Sequence, residues 1–265
     1  MGRAATRMRA LACAVSAVAV ALAGCAGASD GGGDAASSSD EETTLRVSAA
    51  ASLTHSFDEL ARTFEAAHPG VKVSMNYGGS SGLVQQLTEG APADVFASAD
   101  QKNMKKLTDA GLAAGEPSVF ATNVLTLAVP KDNPADITSF RDVVDRDVKL
   151  VTCAPEVPCG AATQEIEKAN GVALHPVSQE NAVTDVLGKV TSGQADAGIV
   201  YVTDAKSAQD RVTTVEIPRT DQAVNNYPVV ALKDSAEPEL ARQFVDLVQG
   251  DEGRKVLEDA GFGAP

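Results

Sequence analysis

The sequence contains no tryptophan, and aromatic residues make up only 4% of it. A site that binds sugars or nucleobases by ring stacking is therefore not expected, although Tyr77, Tyr201 and Tyr227 are present. Basic residues are also scarce, because 22 Lys and Arg stand against 36 Asp and Glu, for a formal net charge of -14. No basic stripe occurs, so the chain is a poor partner for nucleic acid, whose phosphates are bound by clustered Lys and Arg.

The first residues have the pattern of an export signal. Arg3, Arg7 and Arg9 precede a short apolar run, Leu11 to Ala23, which is too short for an ordinary membrane-spanning helix. The run ends in Leu22-Ala23-Gly24-Cys25, which looks like a bacterial lipobox. We predict that residues 1–24 are a lipoprotein signal peptide and that Cys25 is lipidated, which anchors the protein to the outer face of the cell membrane. The alternative is an ordinary signal-peptidase site with an incidental cysteine.

The next segment is rich in Gly, Ser, Ala and Asp, and cannot bury a core. We predict that residues 25–43 form a flexible tether. Removal of the signal peptide would take the net charge to about -17.

Four cysteines occur, and two of them, Cys153 and Cys159, lie beyond the signal and the anchor. In an exported protein such a pair tends to form a disulfide. Metal binding is the alternative, but no histidine or second cysteine pair lies nearby in the sequence. The three histidines, His55, His68 and His175, are scattered without metal-ligand spacing, and we interpret them as surface or packing residues.

Strand and helix patterns alternate along the rest of the chain, which predicts parallel-rich sheets covered by helices on both faces. The strands are predicted at residues 45–50, 71–77, 93–98, 124–129, 148–152, 197–201 and 212–217. The helices are predicted after Ser52, after residue 82, and at residues 100–110, 159–170 and 182–192, with one or two more within residues 238–260. Composition alone leaves open whether these elements form one large domain or two lobes.

Three strand ends lead into helices through hydroxyl or glycine residues: Ala49-Ala50-Ala51-Ser52-Leu53-Thr54, Gly78-Gly79-Ser80-Ser81-Gly82-Leu83 and Pro158-Cys159-Gly160-Ala161. Helix N-termini carry free N–H groups and the positive end of the helix dipole, so several of them around one point bind an anion without cationic side chains. Taken singly, Ser52 and Ser80 are more typical of N-cap residues. The two roles are compatible.

Six segments in sequence order resemble the molybdate-binding proteins of bacterial transporters. They are 49–54, Ser80-Ser81-Gly82-Leu83, Gly90-Ala91-Pro92-Ala93-Asp94-Val95-Phe96, Ser98-Ala99-Asp100-Gln101, Gly198-Ile199-Val200-Tyr201 and Asn226-Tyr227-Pro228-Val229. The resemblance covers nearly all of the chain after residue 43. It implies a type II periplasmic-binding-protein fold with two α/β lobes and a ligand cleft between them. We expect lobe 1 to comprise residues 44–122 and 223–265, and lobe 2 to comprise residues 123–222.

The resemblance also implies the ligand contacts. Ser52 and Ser80 would contact the anion from the first lobe, and backbone N–H groups at Cys159 and Val183, with the hydroxyl of Tyr201, would contact it from the second. The molybdenum would be held as an oxyanion, with no direct protein–metal bond. Cys159 stands at a position where the family commonly has a small residue. A tyrosine that ends a buried strand, as Tyr201 does, is also commonly a core residue.

A site made only of donors suits molybdate, tungstate or sulfate, which carry no proton near neutral pH, better than phosphate. An inward-turned Glu156 or Glu180 would supply the acceptor that phosphate needs.

We expect hinge closure on the anion, followed by docking on a membrane permease. The permease would be driven by a separate ATPase, because the sequence contains neither a P-loop nor a spanning segment. No cofactor is expected, and a monomer is the default expectation.

Two rival functions remain open at this point. Gly78-x-Ser80-x-Gly82 fits the nucleophile elbow of an exported serine hydrolase, with His175 as the single downstream histidine. A binding protein for ferric ion would use Tyr201 and Tyr227.

Asp94 and Asp100 resemble a catalytic pair of carboxylates, but we expect Asp100 to cap a helix and Asp94 to hold a turn. The sequence therefore predicts a binding protein and not an enzyme.

Overall fold

The computed structural model describes residues 42–265. The predicted signal peptide and the lipidated Cys25 lie outside the described residues, as does nearly all of the predicted tether. The first strand begins at Thr43, so the last tether residue belongs to it.

The first sheet has five strands in the order β2-β1-β3-β10-β4. Their bounds are β1 (Thr43–Ala50), β2 (Val71–Gly78), β3 (Val95–Ala97), β4 (Ser118–Asn123) and β10 (Asn225–Ala231). Strands β1, β2 and β3 are parallel, and β10 runs antiparallel to both β3 and β4. The parallel strands therefore end at one edge of the sheet, where Ala50 pairs with Gly78.

The second sheet repeats this plan in the order β7-β6-β8-β5-β9. Its strands are β5 (Leu125–Pro130), β6 (Leu150–Cys153), β7 (Ser178–Glu180), β8 (Ala197–Tyr201) and β9 (Val212–Val215). Strand β6 is parallel to β7 and β8, and β5 is antiparallel to β8 and β9. The chain passes from the first sheet to the second at Val124 and returns between Val215 and Asn225.

Nine α-helices connect these strands within residues 42–265. They are α1 (Thr54–Ala67), α2 (Ser80–Thr88), α3 (Gln101–Asp109), α4 (Phe140–Asp145), α5 (Pro158–Asn170), α6 (Val183–Thr191), α7 (Val202–Ser207), α8 (Pro238–Gln249) and α9 (Asp251–Ala260). None of the helices in the described part of the chain is long and apolar enough to cross a membrane.

Each sheet has its own apolar core. Beside the first sheet, helix α1 buries Phe57, Leu60 and Phe64 on one face at helical spacing. The rings of Phe57 and Phe64 make edge contacts with Phe244 of α8, at centroid distances of 6.0 and 5.4 Å. Burial of aromatic rings from helices that are distant in sequence fixes α1 and α8 against the same sheet.

Candidate functional site

A small cavity lies where strand ends of the two sheets meet. Its volume is about 10 Å³, close to the space for one water-sized group. All five residues predicted to contact a ligand, Ser52, Ser80, Cys159, Val183 and Tyr201, belong to its lining, together with Ala50, Ala51, Gly78, Gly79, Ala99, Val157 and Pro158. Among the described residues, no charged side chain lines this cavity.

Three helices begin at the cavity without a side-chain cap. Helix α2 follows Gly79, α5 follows Val157 and α6 follows Ala182, and none of these N-cap residues accepts a hydrogen bond through its side chain. The first N–H groups of a helix have no partner inside the helix, so those of Cys159 and Val183 remain available as donors. Three positive helix ends thus surround one small space.

Ser80 is fully buried at the start of α2. Its Oγ accepts a hydrogen bond from the backbone N–H of Ala99 over 3.0 Å. The carbonyl of Ala99 accepts in turn from the side-chain amide of Asn225, at 2.8 Å. Because the Ser80 oxygen already accepts, its proton is free to be donated to a ligand in the cavity.

Tyr201 ends β8 and is only 1% exposed, yet its hydroxyl has no hydrogen-bond partner within residues 42–265. A buried polar group without a partner costs free energy, so it calls for an explanation. Burial raises the pKa of this hydroxyl well above its ordinary value, so it stays protonated as a donor.

One carboxylate and one hydroxyl group make hydrogen bonds to residues beside the cavity. Asp204, in the first turn of α7, accepts the backbone N–H of Tyr201 at 3.0 Å. Burial raises the pKa of Asp204 to about 7, although that N–H group opposes the shift. On the opposite side, the Ser52 Oγ lies 2.9 Å from the hydroxyl of Tyr227.

The predicted disulfide is present between Cys153 and Cys159, with Cα atoms 5.7 Å apart. It joins the end of β6 to the first turn of α5, beside the cavity. Gly160 is needed there, because a Cβ at this position would lie 1.9 Å from the carbonyl oxygen of Ala154. The turn is therefore held both by a covalent bond and by close backbone packing.

The rival sites lack their essential partners. No histidine nitrogen bonds to Ser80 in the described chain, and His175 is exposed. Among residues 42–265 no group of three or more His, Cys, Asp or Glu side chains could hold a metal ion. Burial raises the pKa of both Tyr201 and Tyr227, which disfavours the phenolate form that ferric ion requires.

The two aspartates have the structural roles that the sequence predicts. Asp100 caps α3 by accepting the N–H of Asn103 at 2.8 Å. Asp94 is buried and accepts backbone N–H groups of Arg46 and Ala236, together with the hydroxyl of Ser235.

Sequence reasoning missed the residues behind the cavity wall, namely Tyr227, Asn123, Asp204 and Asn225. Tyr227 lies within the segment Asn226-Tyr227-Pro228-Val229, but the sequence indicates it only as a candidate iron ligand. Its contact with Ser52 spans 175 positions of the sequence, so no local pattern could indicate it.

Comparisons with known proteins extend these observations. A family model described as bacterial extracellular solute-binding protein matches residues 45–263. The molybdate-binding protein ModA of Mycobacterium tuberculosis H37Rv is 49% identical over 219 residues, which are 83% of this chain and 84% of that protein. Similar solved structures include the periplasmic molybdate-binding protein of Azotobacter vinelandii, with a TM-score of 0.72 and 24% identity over 83% of this chain and 99% of that one. The sulfate-binding protein SubI of M. tuberculosis has a TM-score of 0.69 and 21% identity over 83% and 86%. At these identities the structures show the fold alone, and they confirm the predicted class of two α/β lobes of the periplasmic-binding type.

Proposed function

The chain belongs to the family of bacterial extracellular solute-binding proteins, and from this premise we propose that its solute is molybdate, delivered to the permease of an ABC transporter. Membership of a solute-binding family also confirms the prediction that the chain is not an enzyme. Molybdate is the solute in the name of the 49% identical relative.

One observation carries the proposal: Tyr201 lines the cavity, and its buried hydroxyl lacks a hydrogen-bond partner within the described chain. A ligand oxygen beside it would satisfy this donor. The same oxygen-rich ligand would accept from the Ser80 hydroxyl and from the N–H groups of Cys159 and Val183. These donors, with Ser52, are the contacts that we propose.

The chemistry of these groups favours a fully deprotonated anion. A tetrahedral dianion has only acceptors, and the positive helix ends compensate for its charge at short range. The two carboxylates that would favour phosphate do not line the cavity, because Glu180 is paired with Lys189 and Glu156 is exposed. Hydrogen phosphate would therefore bring a proton for which the site offers no acceptor.

Tungstate matches molybdate in charge and closely in size, and sulfate is the solute in the name of a structural neighbour. A compact tetrahedral anion requires only a small opening of this cavity, whereas a sugar, an amino acid or a peptide would require a much larger one. We propose molybdate first, with tungstate as an accepted analogue and sulfate as the competing solute.

We further propose how the protein is exported, anchored to the membrane and docked on its permease. The pattern at residues 1–25 suggests export followed by lipidation at Cys25, and residues 25–43 would let a monomeric binding unit reach its permease. The lobe bounds proposed from the sequence, 44–122 with 223–265 and 123–222, would make Val124 and the segment before Asn225 the two hinges. Closure on the anion would then create the form that docks on the permease.

The test is calorimetric titration of the purified whole chain, in mild detergent, with molybdate, tungstate, sulfate and phosphate. We expect one molybdate per chain. Ser80→Ala and Tyr201→Phe should each weaken binding about 10- to 100-fold, which is typical for loss of a hydrogen bond to a charged group. Tyr77→Phe is the matched control, because the Tyr77 hydroxyl bonds to Asp58 of α1 and Tyr77 does not line the cavity. Binding of sulfate but not molybdate would reject the solute, and binding of no oxyanion would reject the function.

A further inference from the structure

We propose that Tyr227, held by Asn123, is a positioning residue that directs the hydroxyl proton of Ser52 into the cavity and thereby selects oxyanions that carry no proton. This inference rests on the proposed function. It concerns two residues that do not line the cavity themselves.

The first step is the orientation of the Asn123 side chain, which is buried at the end of β4. Its Oδ1 accepts the backbone N–H of Val124 at 3.0 Å. Since an N–H group cannot bond to the amide nitrogen, this contact fixes which end of the amide is which. The Nδ2 group consequently faces Thr203 Oγ1, at 2.9 Å, and the Tyr227 hydroxyl, at 3.5 Å.

The second step is the direction of the Tyr227 proton. Burial raises the pKa of Tyr227 well above its ordinary value, so the hydroxyl keeps its proton. The Asn123 amide can only donate, so the proton cannot be directed toward it. The remaining neighbour within hydrogen-bond distance in the described chain is the Ser52 Oγ, at 2.9 Å. Tyr227 therefore donates to Ser52.

The third step follows at Ser52, which lines the cavity. Its oxygen accepts from Tyr227, so its single proton must go elsewhere, and no other acceptor for it lies within hydrogen-bond distance in residues 42–265. An oxyanion in the cavity provides that acceptor. The chain Asn123, Tyr227, Ser52 thus converts a hydroxyl that could donate or accept into one that donates.

Removal of the Tyr227 hydroxyl would release this constraint. In Tyr227→Phe the Ser52 hydroxyl could rotate and accept a proton from hydrogen phosphate. We expect molybdate binding to weaken about tenfold, as for loss of one hydrogen bond in a polarised chain. Phosphate should lose less, so that the ratio of molybdate affinity to phosphate affinity falls.

The experiment is a double-mutant cycle on the whole chain, with wild type, Ser52→Ala, Tyr227→Phe and the double variant titrated with sodium molybdate and, in competition, with inorganic phosphate. If Tyr227 acts through Ser52, its substitution costs about tenfold in wild type and close to nothing in the Ser52→Ala background. Tyr77→Phe is the control for removal of a tyrosine hydroxyl away from the cavity. Thermal unfolding of each variant checks that the near-isosteric change leaves the aromatic packing of Tyr227 against Phe120 and Phe262 intact.

The outcomes separate the two proposals. Equal losses in both backgrounds, or an unchanged molybdate-to-phosphate ratio, would overturn the role of Tyr227 while leaving molybdate binding in place. A wild-type protein that binds no oxyanion would overturn the proposed function, and this inference with it. A cycle that is non-additive, with a reduced ratio for Tyr227→Phe, supports the inference.

Discussion

Burial controls the ionisation of single residues around the cavity. The clearest case is Asp204, whose carboxylate holds the backbone of Tyr201 from inside the protein. Desolvation raises its pKa from 3.8 to about 7, and only the Tyr201 N–H opposes the change. Asp204 lines a second, larger pocket together with His55, Lys206 and Asp259, but none of these three makes a hydrogen bond or ion pair with Asp204 in the described chain. A buried carboxyl group without a cationic partner should therefore affect stability near neutral pH.

The sign of that effect follows from linkage. The folded protein holds the Asp204 proton more tightly than the unfolded chain, so stability falls as pH rises from about 4 to about 7 and stays low above that range. Asp204→Asn keeps an acceptor for the Tyr201 N–H but cannot ionise. Between pH 5 and pH 8 we expect the variant to gain on the order of 2 kcal/mol of unfolding free energy relative to wild type. Urea unfolding at several pH values measures the difference.

Asp142 provides a matched control for this prediction. It occupies the same capping-box position in α4 that Asp204 occupies in α7, but at the surface. Hydrogen bonds from the backbone N–H groups of Thr138 and Ser139 lower its pKa to about 2. Its stabilising contribution is therefore lost only as pH falls through the acid range, and Asp142→Asn should show no trend between pH 5 and pH 8. Parallel curves for Asp204→Asn and wild type would contradict the argument.

At the scale of elements, the start of α5 depends on the disulfide. The bond holds Cys159, whose N–H is a proposed ligand donor, against the end of β6. The chain-entropy model gives about 2 kcal/mol for so short a loop, so its removal should destabilise the protein only modestly. We expect molybdate affinity to fall several-fold when the disulfide is reduced, because ligand binding must then also order the turn that carries the Cys159 N–H group.

Calorimetry with and without reductant measures this effect. The variant with both Cys153→Ala and Cys159→Ala is the control, since reductant should not change its affinity, which should match that of the reduced wild type. An affinity that is the same in oxidised and reduced wild type would mean that backbone packing at Gly160 alone holds the turn.

Some of the helices and strands could be predicted from the sequence, and others could not. The apolar periodicity of helix α1 and the continuous apolar run of strand β8 predict both elements with nearly correct bounds. Strand β10 contains Pro228, which normally argues against a strand, and the structure accommodates it at a shift in the β4 register. Strand β7 has three residues and α7 has six, so neither is long enough for a periodic signal.

At the scale of the whole molecule, the candidate site combines residues from position 52 to position 201. The alternating pattern predicts that strand ends and helix starts meet, but only the family resemblance selects Ser52, Ser80 and Tyr201 among the available hydroxyls. The supporting residues were not predictable, because Asn123 and Tyr227 are 104 positions apart and act through the fold. The sequence thus indicates the hydroxyl groups that could bind the anion. The hydrogen-bond network that orients them depends on the packing of the two sheets.

That packing is closest at Gly79, where the turn before α2 meets the segment after β7. A Cβ at Gly79 would lie 2.1 Å from the carbonyl oxygen of Asn181 and 3.3 Å from Val157. Both of these residues belong to the side of the second sheet. The backbone of Gly79 has φ -64° and ψ 134°, which alanine adopts without strain. Only the approach of the two sheets therefore requires glycine at this position.

Gly79→Ala should consequently keep the fold but prevent full closure around the anion. Overpacking of this kind costs about 1–3 kcal/mol, so molybdate affinity should fall about 10- to 100-fold while thermal unfolding without ligand changes little. Small-angle scattering should show a decrease in radius of gyration when molybdate is added to wild type and a smaller decrease for the variant. Gly82→Ala is the matched control, three residues further along α2, because a Cβ there meets nothing within 4 Å. If Gly79→Ala bound molybdate as tightly as Gly82→Ala, the close contact with Asn181 would not be a feature of the ligand-bound state, and closure would have to involve another surface.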